Sequence, residues 1–139
     1  MDYREGHLMK KAIWFMFILL LMSGCSYNPS DEDIVDSHGE ITNLEKFMKF
    51  VGNVNEGTKD KIRIVRYTIE GDPMLHDLEY DGEIINSTTD TTRDEFGSGS
   101  VTTAICKSID VKENEERTDY TLSGCDKTNR DNSILVIWK

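Results

Sequence analysis

The chain has 139 residues, with 26 Asp and Glu against 16 Lys and Arg and a net charge of −10. That balance argues against nucleic acid as a partner, because neutralising phosphates needs a basic surface, and against lying flat on anionic lipid. The length suits one domain with a modest core.

The first informative stretch is Met9 to Cys25. Lys10 and Lys11 supply a basic start, and Ala12 to Met22 is an unbroken apolar run of eleven residues. A helix needs roughly 20 residues to cross a bilayer core, so this run is too short to span and fits a secretory signal peptide. Ser23 and Gly24 are the small residues before a cleavage point, and Cys25 follows them directly. The pattern resembles the lipobox of bacterial lipoproteins, in which the cysteine thiol receives a diacylglyceryl group and becomes the new first residue. Met22 stands where that motif usually has Leu, and residues 1–8 make an atypical start, so translation is expected from Met9. Two acyl chains hold a protein on a membrane stably, whereas one binds marginally.

Removing residues 1–24 leaves 115 residues with 24 acids and 13 bases, enough for one domain with a modest core. Residues 25–39 follow as the lipidated Cys25 and a polar, acid-rich tether, and residues 40–139 as a single domain. Thr42-Asn43-Leu44-Glu45 matches a capping box, with Leu44, Phe47, Val51 and Val54 at helical spacing behind it. Gly57 is a plausible stop. The spacing predicts a helix over Asn43–Asn55 whose apolar stripe faces a core.

Lys61 to Glu70 alternates like a strand, but the apolar parity switches at Val65, which implies a bulge there or burial on both faces. Arg63 and Arg66 on this strand could form an anion site, but basic residues on the solvent face of a strand are ordinary. Gly71-Asp72-Pro73 ends it. Leu75–Tyr80 and Glu83–Thr89 flank Asp81-Gly82, a strong hairpin signal. Asp94 to Ser100 reads DEFGSGS, a flexible connector with one aromatic.

Val101–Val111 and Arg117–Cys125 read as two strands joined by Lys112–Glu116. A hairpin centred between Glu115 and Glu116 sets Ile109 against Leu122, Val111 against Tyr120 and Lys112 against Asp119, which matches apolar with apolar and opposite charges with each other. It also sets Cys106 opposite Cys125, a disulfide that an exported chain can keep. Two unpaired thiols, or a register one or two residues away, are the alternatives. The final run, Ile134 to Trp138, reads as a strand covered on both faces and central in its sheet.

Catalytic signatures are sparse. After Cys25 the only histidines are His38 and His76. His76 lies near Asp72 and Asp77 on a strand, and a Ser-His-Asp arrangement can be drawn with it, but no nucleophile elbow supports one. No cofactor fingerprint and no metal-ligand spacing stands out.

Lys61-Ile-Arg-Ile-Val-Arg-Tyr-Thr, Gly71-Asp-Pro, His76-Asp-Leu-Glu-Tyr-Asp-Gly and the pair Ile105-Cys106 with Ser123-Gly124-Cys125 resemble a family of small lipoproteins from bacilli carrying a domain of unknown function, DUF4362. The resemblance covers about residues 43–126. It implies export and membrane anchoring and transfers no catalytic residues. The expected architecture is α+β, with one N-terminal helix packed on a mostly antiparallel sheet of five to six strands. The expected role is a lipid-anchored module on the extracytoplasmic face of the cell membrane, binding an envelope protein or a small ligand without catalysis. The disulfide hairpin and the DEFGSGS loop are the exposed binding candidates. A small envelope hydrolase using His76 with a nearby carboxylate is the alternative.

Overall fold

The computed structural model describes residues 27–127 and 132–139; the apolar run and the lipobox cysteine Cys25 lie outside them. Strand β1 (Ile34–Ser37) and β2 (Glu40–Thr42) precede helix α1 (Leu44–Glu56). Then come β3 (Asp60–Tyr67), β4 (Pro73–Tyr80), β5 (Ile85–Asp90), β6 (Val101–Cys106), β7 (Ser108–Glu113), β8 (Arg117–Ser123) and β9 (Ser133–Trp138). Six strands form one sheet in the order β2-β1-β3-β4-β5-β6, and three form a second, β7-β8-β9. The pairings are antiparallel except β1 with β3.

The fold is therefore mostly β, which corrects the α+β expectation of a leading helix on a single sheet. The helix comes after two strands, and its buried residues Phe47, Phe50, Val51 and Val54 share one core with Ile64, Leu78 and Ile85 of the first sheet and Tyr120, Leu122 and Leu135 of the second. The Phe47 ring meets Tyr120 edge-on, with centroids 4.9 Å apart and planes at 87°. The core thus lies where the two sheets and the helix converge.

Two local features escaped the sequence. Residues 34–37, expected within a polar tether, form β1: Ile34 is fully buried and Asp36 nearly so. Two well-placed partners hold the charge of this segment. The Asp36 carboxylate accepts from the Gly39 amide at 2.9 Å and lies 3.6 Å from the Arg66 guanidinium. His38 and Gly39, with φ of 55° and 99°, make the two-residue turn to β2, the left-handed pair that suits a tight hairpin.

Nor does the capping box form. The residue before α1 is Asn43, left-handed at φ 56°, with no side-chain cap of its own helix. Its amide instead donates to the carbonyls of Asp31 (3.0 Å) and Asp33 (2.7 Å), tying the entry of β1 to the helix. Asn tolerates this conformation better than other non-glycine residues. Asn43→Ala loses both bonds and adds backbone strain, so an expected loss of roughly 1–2 kcal/mol should appear in urea unfolding, with Asn43→Gly milder. The helix does end at Gly57, whose φ of 73° lets its own amide and that of Thr58 reach the Val54 and Asn53 carbonyls.

The β3–β4 ladder runs from Asp60↔Tyr80 to Tyr67↔Pro73 without a slip. The parity switch at Val65 therefore reflects burial on both faces, with Ile64 and Val65 both inaccessible. Between β4 and β5 the connection is four residues, because Tyr80 pairs with Ile85. Asp81 organises that loop by accepting from the Glu83 and Ile84 amides. These two amide bonds, Ile84's foremost, hold its carboxyl below the usual range.

The expected strand Val101–Val111 breaks at Lys107 and divides between the two sheets. Beyond the break the register is the one expected: Ile109↔Leu122, Val111↔Tyr120 and Lys112↔Asp119. Cys106 and Cys125 form a disulfide at the junction. Strand β9 is not central; it is the edge of the three-stranded sheet. Ile134 and Leu135 are nonetheless fully buried, and Arg66 reaches across from β3 to donate to the Ile134 carbonyl at 2.6 Å. A side chain thus takes the part of a neighbouring strand in satisfying that edge group.

Candidate functional site

A groove of about 760 Å³ opens where the helix faces the start of β3 and the end of β4. Its lining draws Lys46 and Lys49 from α1, Lys61 and Arg63 from β3, Asp77 and Glu79 from β4, and Asn86 and Thr88 from β5, with Glu32, Asp33 and Asp60 at its margins. Local periodicity explains the convergence. Lys46 and Lys49 are three apart on the polar side of an amphipathic helix, and Lys61 and Arg63 are two apart and so share one face of a strand.

Most of the acids are already engaged. The Asp77 carboxylate takes two bonds from Arg63, at 2.6 and 2.8 Å. That fork, helped by the Tyr27 hydroxyl, raises the Arg63 pKa above its ordinary value despite partial burial. Asp33 accepts from the Tyr27 hydroxyl (3.0 Å) and the Ser30 amide (2.9 Å). Asp60 accepts from the Asn53 amide (2.8 Å), and Glu32 pairs with Lys46 (2.7 Å). Lys49, Lys61 and Glu79 are exposed and, among the described residues, make no ion pair. In this groove the ammonium groups of Lys49 and Lys61 thus stand among the Asn86 amide, the Thr88 hydroxyl and the Glu79 carboxylate, which lies directly across from Lys61 in the β3–β4 ladder.

The candidates read from the sequence lie elsewhere. Arg63 and Arg66 make no joint anion site: Arg63 points to Asp77, while Arg66 belongs to the opposite face and is spent on Asp36 and Ile134. His76 sits mid-sheet on β4, between Ile64 and Thr89, with Nε2 2.8 Å from the Ser87 hydroxyl. Ser87 is only 6 % exposed, so the hydroxyl of this cross-strand pair is withdrawn from the surface. The DEFGSGS loop is held at its start: Asp94 accepts from the Phe96 and Gly97 amides, and the Glu95 amide donates to Asp72. Phe96 itself is 75 % exposed. The disulfide joins Cys106, fully buried, to the partly covered Cys125. Among the described residues no group of three His, Cys, Asp or Glu side chains could hold a metal.

The sequence reading missed Lys46, Lys49 and Lys61. Each pair was visible by spacing, but nothing local states that a helix face and a strand face will meet.

The chain matches the domain of unknown function DUF4362 over residues 31–121. It belongs to that family. No curated protein and no solved structure matches it significantly. The DUF4362 match starts ahead of β1 and ends inside β8. It therefore takes in the whole six-stranded sheet, the helix and every residue that lines the groove, and includes β1 in the domain. Cys106 falls within the match and Cys125 beyond it.

Proposed function

We propose that this DUF4362 protein is a lipid-anchored, extracytoplasmic binding module of the cell envelope, and that the groove between α1 and the β3–β4 strands holds its ligand. The groove carries the reading: concave, flanked by a helix and a sheet, and lined by lysines, carboxylates and uncharged hydrogen-bonding groups. A short polar ligand or an extended segment of an envelope protein suits such a lining, since a few placed polar groups orient a ligand while concavity buries it. The export part is supported by the basic start, eleven-residue apolar run and Cys25, and by a disulfide, which persists in oxidising compartments. His76 as a hydrolase residue is the weaker reading, since its serine neighbour is buried.

The test is crosslinking of the tagged, full-length protein in cells, with mass spectrometry of what co-purifies and Cys25→Ala as the anchor control. The double variant Lys49→Glu/Lys61→Glu alters two exposed residues; Lys61 stands directly opposite Glu79, so the reversal sets like charges against each other and should cost about 1 kcal/mol. The expected outcome is a partner recovered with the parent protein and with His76→Ala, and lost with the lysine reversal. A partner retained by the reversal but lost with His76→Ala would overturn the groove reading.

A further inference from the structure

An edge strand offers a row of main-chain amides and carbonyls to any strand that arrives, and folded chains guard such edges. Strand β2 is only three residues long. Along β6, the Ile105 amide donates to the Asp126 carboxylate at 2.8 Å, the Ile105 carbonyl accepts from the Asp126 amide at 2.9 Å, and Lys127 reaches the Thr103 carbonyl at 3.1 Å. On β9, Arg66 holds the Ile134 carbonyl. The edge of β7 has no such guard among the described residues.

Which of its groups point outward follows from the hairpin. The Asn114 amide donates to the Arg117 carbonyl at 2.9 Å, so these two residues form a hydrogen-bonded pair. Such pairs alternate along an antiparallel ladder. Ser108, Asp110 and Lys112 therefore spend their main-chain groups on β8, while Ile109, Val111 and Glu113 turn theirs away from it. Among the described residues, these outward groups meet no partner. The side chains there are open too. Val111 is 51 % exposed, and Asp110 and Lys112 are exposed and, among the described residues, in no ion pair. Met48 of α1, 45 % exposed, lies close by: Tyr120, the cross-strand neighbour of Val111, donates its hydroxyl to the Met48 sulfur at 3.5 Å.

We propose that β7 pairs antiparallel with β7 of a second copy of this chain, joining two three-stranded sheets into one about a two-fold axis at Val111. Charge selects both the occupant and the register. Outward-facing residues must oppose outward-facing residues, so an axis near the middle of β7 passes through Asp110, Val111 or Lys112. At Asp110 it sets a carboxylate against its own copy, and at Lys112 an ammonium group against its own copy. At Val111 it sets Asp110 of each copy opposite Lys112 of the other and valine opposite valine. Opposite charges and apolar pairs stabilise a ladder, and like charges directly opposite weaken it. Glu113 then stands across from Ile109 of the second copy, with its carboxylate held by Lys139 at 2.8 Å. A contact of one patch with itself closes at two copies. No residue of β7 lines the groove, so the pairing is independent of the ligand reading.

The test is cysteine crosslinking of the full-length chain in bacterial cells. Val111→Cys puts a thiol on the axis, where the Cα atoms of a hydrogen-bonded pair lie about 5.5 Å apart, within reach of a disulfide. Glu115→Cys, four residues on in the exposed turn, keeps its two copies about 27 Å apart at 3.4 Å per residue and serves as the control, and the parent chain sets the background of the native cysteines. After mild oxidation, a non-reducing gel should show Val111→Cys largely as a linked dimer and Glu115→Cys as monomer. Adding Asp110→Lys to Val111→Cys sets like charges opposite each other at both pairs and should cut the dimer about tenfold. Co-expression of that chain with a differently tagged Val111→Cys/Lys112→Asp chain restores opposite charges at both pairs, and the mixed dimer should return. Asp119, across β8 from Lys112, keeps Arg117 at 3.2 Å, so the hairpin tolerates the reversal. Val111→Cys linked no more than the control overturns the pairing. A dimer indifferent to Asp110→Lys, or a mixed pair that stays monomeric, overturns it as well.

Discussion

Replacing Phe47 with alanine is expected to cost about 4 kcal/mol, within the range for deleting a buried aromatic ring. Phe47 is fully buried and touches the core from the helix side. Its ring also makes the edge-on contact with Tyr120 of the second sheet, so the change opens a cavity at the place where helix and sheets meet. A domain of this size has about 5–15 kcal/mol in hand. The loss should lower the melting temperature by about 15 °C or more, read by circular dichroism and by urea unfolding. Phe47→Leu keeps most of the volume and should cost less than half as much. A loss below about 1 kcal/mol for Phe47→Ala would mean that the helix does not pack into the shared core.

Removing the disulfide is the second large effect. Cys106 and Cys125 are 19 residues apart in sequence, and closing a loop of that size removes about 3 kcal/mol of unfolded-chain entropy. The bond also ties the end of β6 to the chain just past β8, where the two sheets join. The double variant Cys106→Ala/Cys125→Ala should therefore lose about 3 kcal/mol, seen as a lower urea midpoint. Alkylation of a soluble form lacking Cys25 should find no reactive thiol before reduction and two after it. Two thiols reactive without reductant, or an unchanged midpoint, would refute a structural role for the bond.

The register of the last hairpin was legible from residue type alone. The favoured pairing across Lys112–Glu116 matches apolar with apolar and opposite charges with each other, and the observed pairs Ile109↔Leu122 and Lys112↔Asp119 follow it rather than a register one or two residues away. The same is true of α1, whose 3.6-residue apolar repeat and closing Gly57 are local signals. Both are cases in which neighbours in sequence carry the information.

Where the sequence reading failed, the deciding partner was distant. Ile34–Ser37 has no periodicity to announce a strand; it is one because β3 offers a parallel edge and Arg66 meets Asp36. Asn43 rather than Thr42 starts the helix because the carbonyls of Asp31 and Asp33 are within reach. Strand β9 looked central because its faces are apolar, but burial of faces and pairing of edges are separate matters. One of its carbonyls, that of Ile134, is satisfied by an arginine from the other sheet.

By itself, then, the sequence determined the charge, the eleven-residue apolar run with Cys25, the helix, the cysteine hairpin and its register, since each is written in residues close along the chain or in one self-consistent pairing. Only the tertiary structure decided that the strands divide at Lys107 into two sheets, that the helix joins both, and that Lys49 and Lys61 face one groove. The physical reason is that burial and edge pairing depend on surfaces brought together from far apart, and no local pattern specifies which surface will arrive.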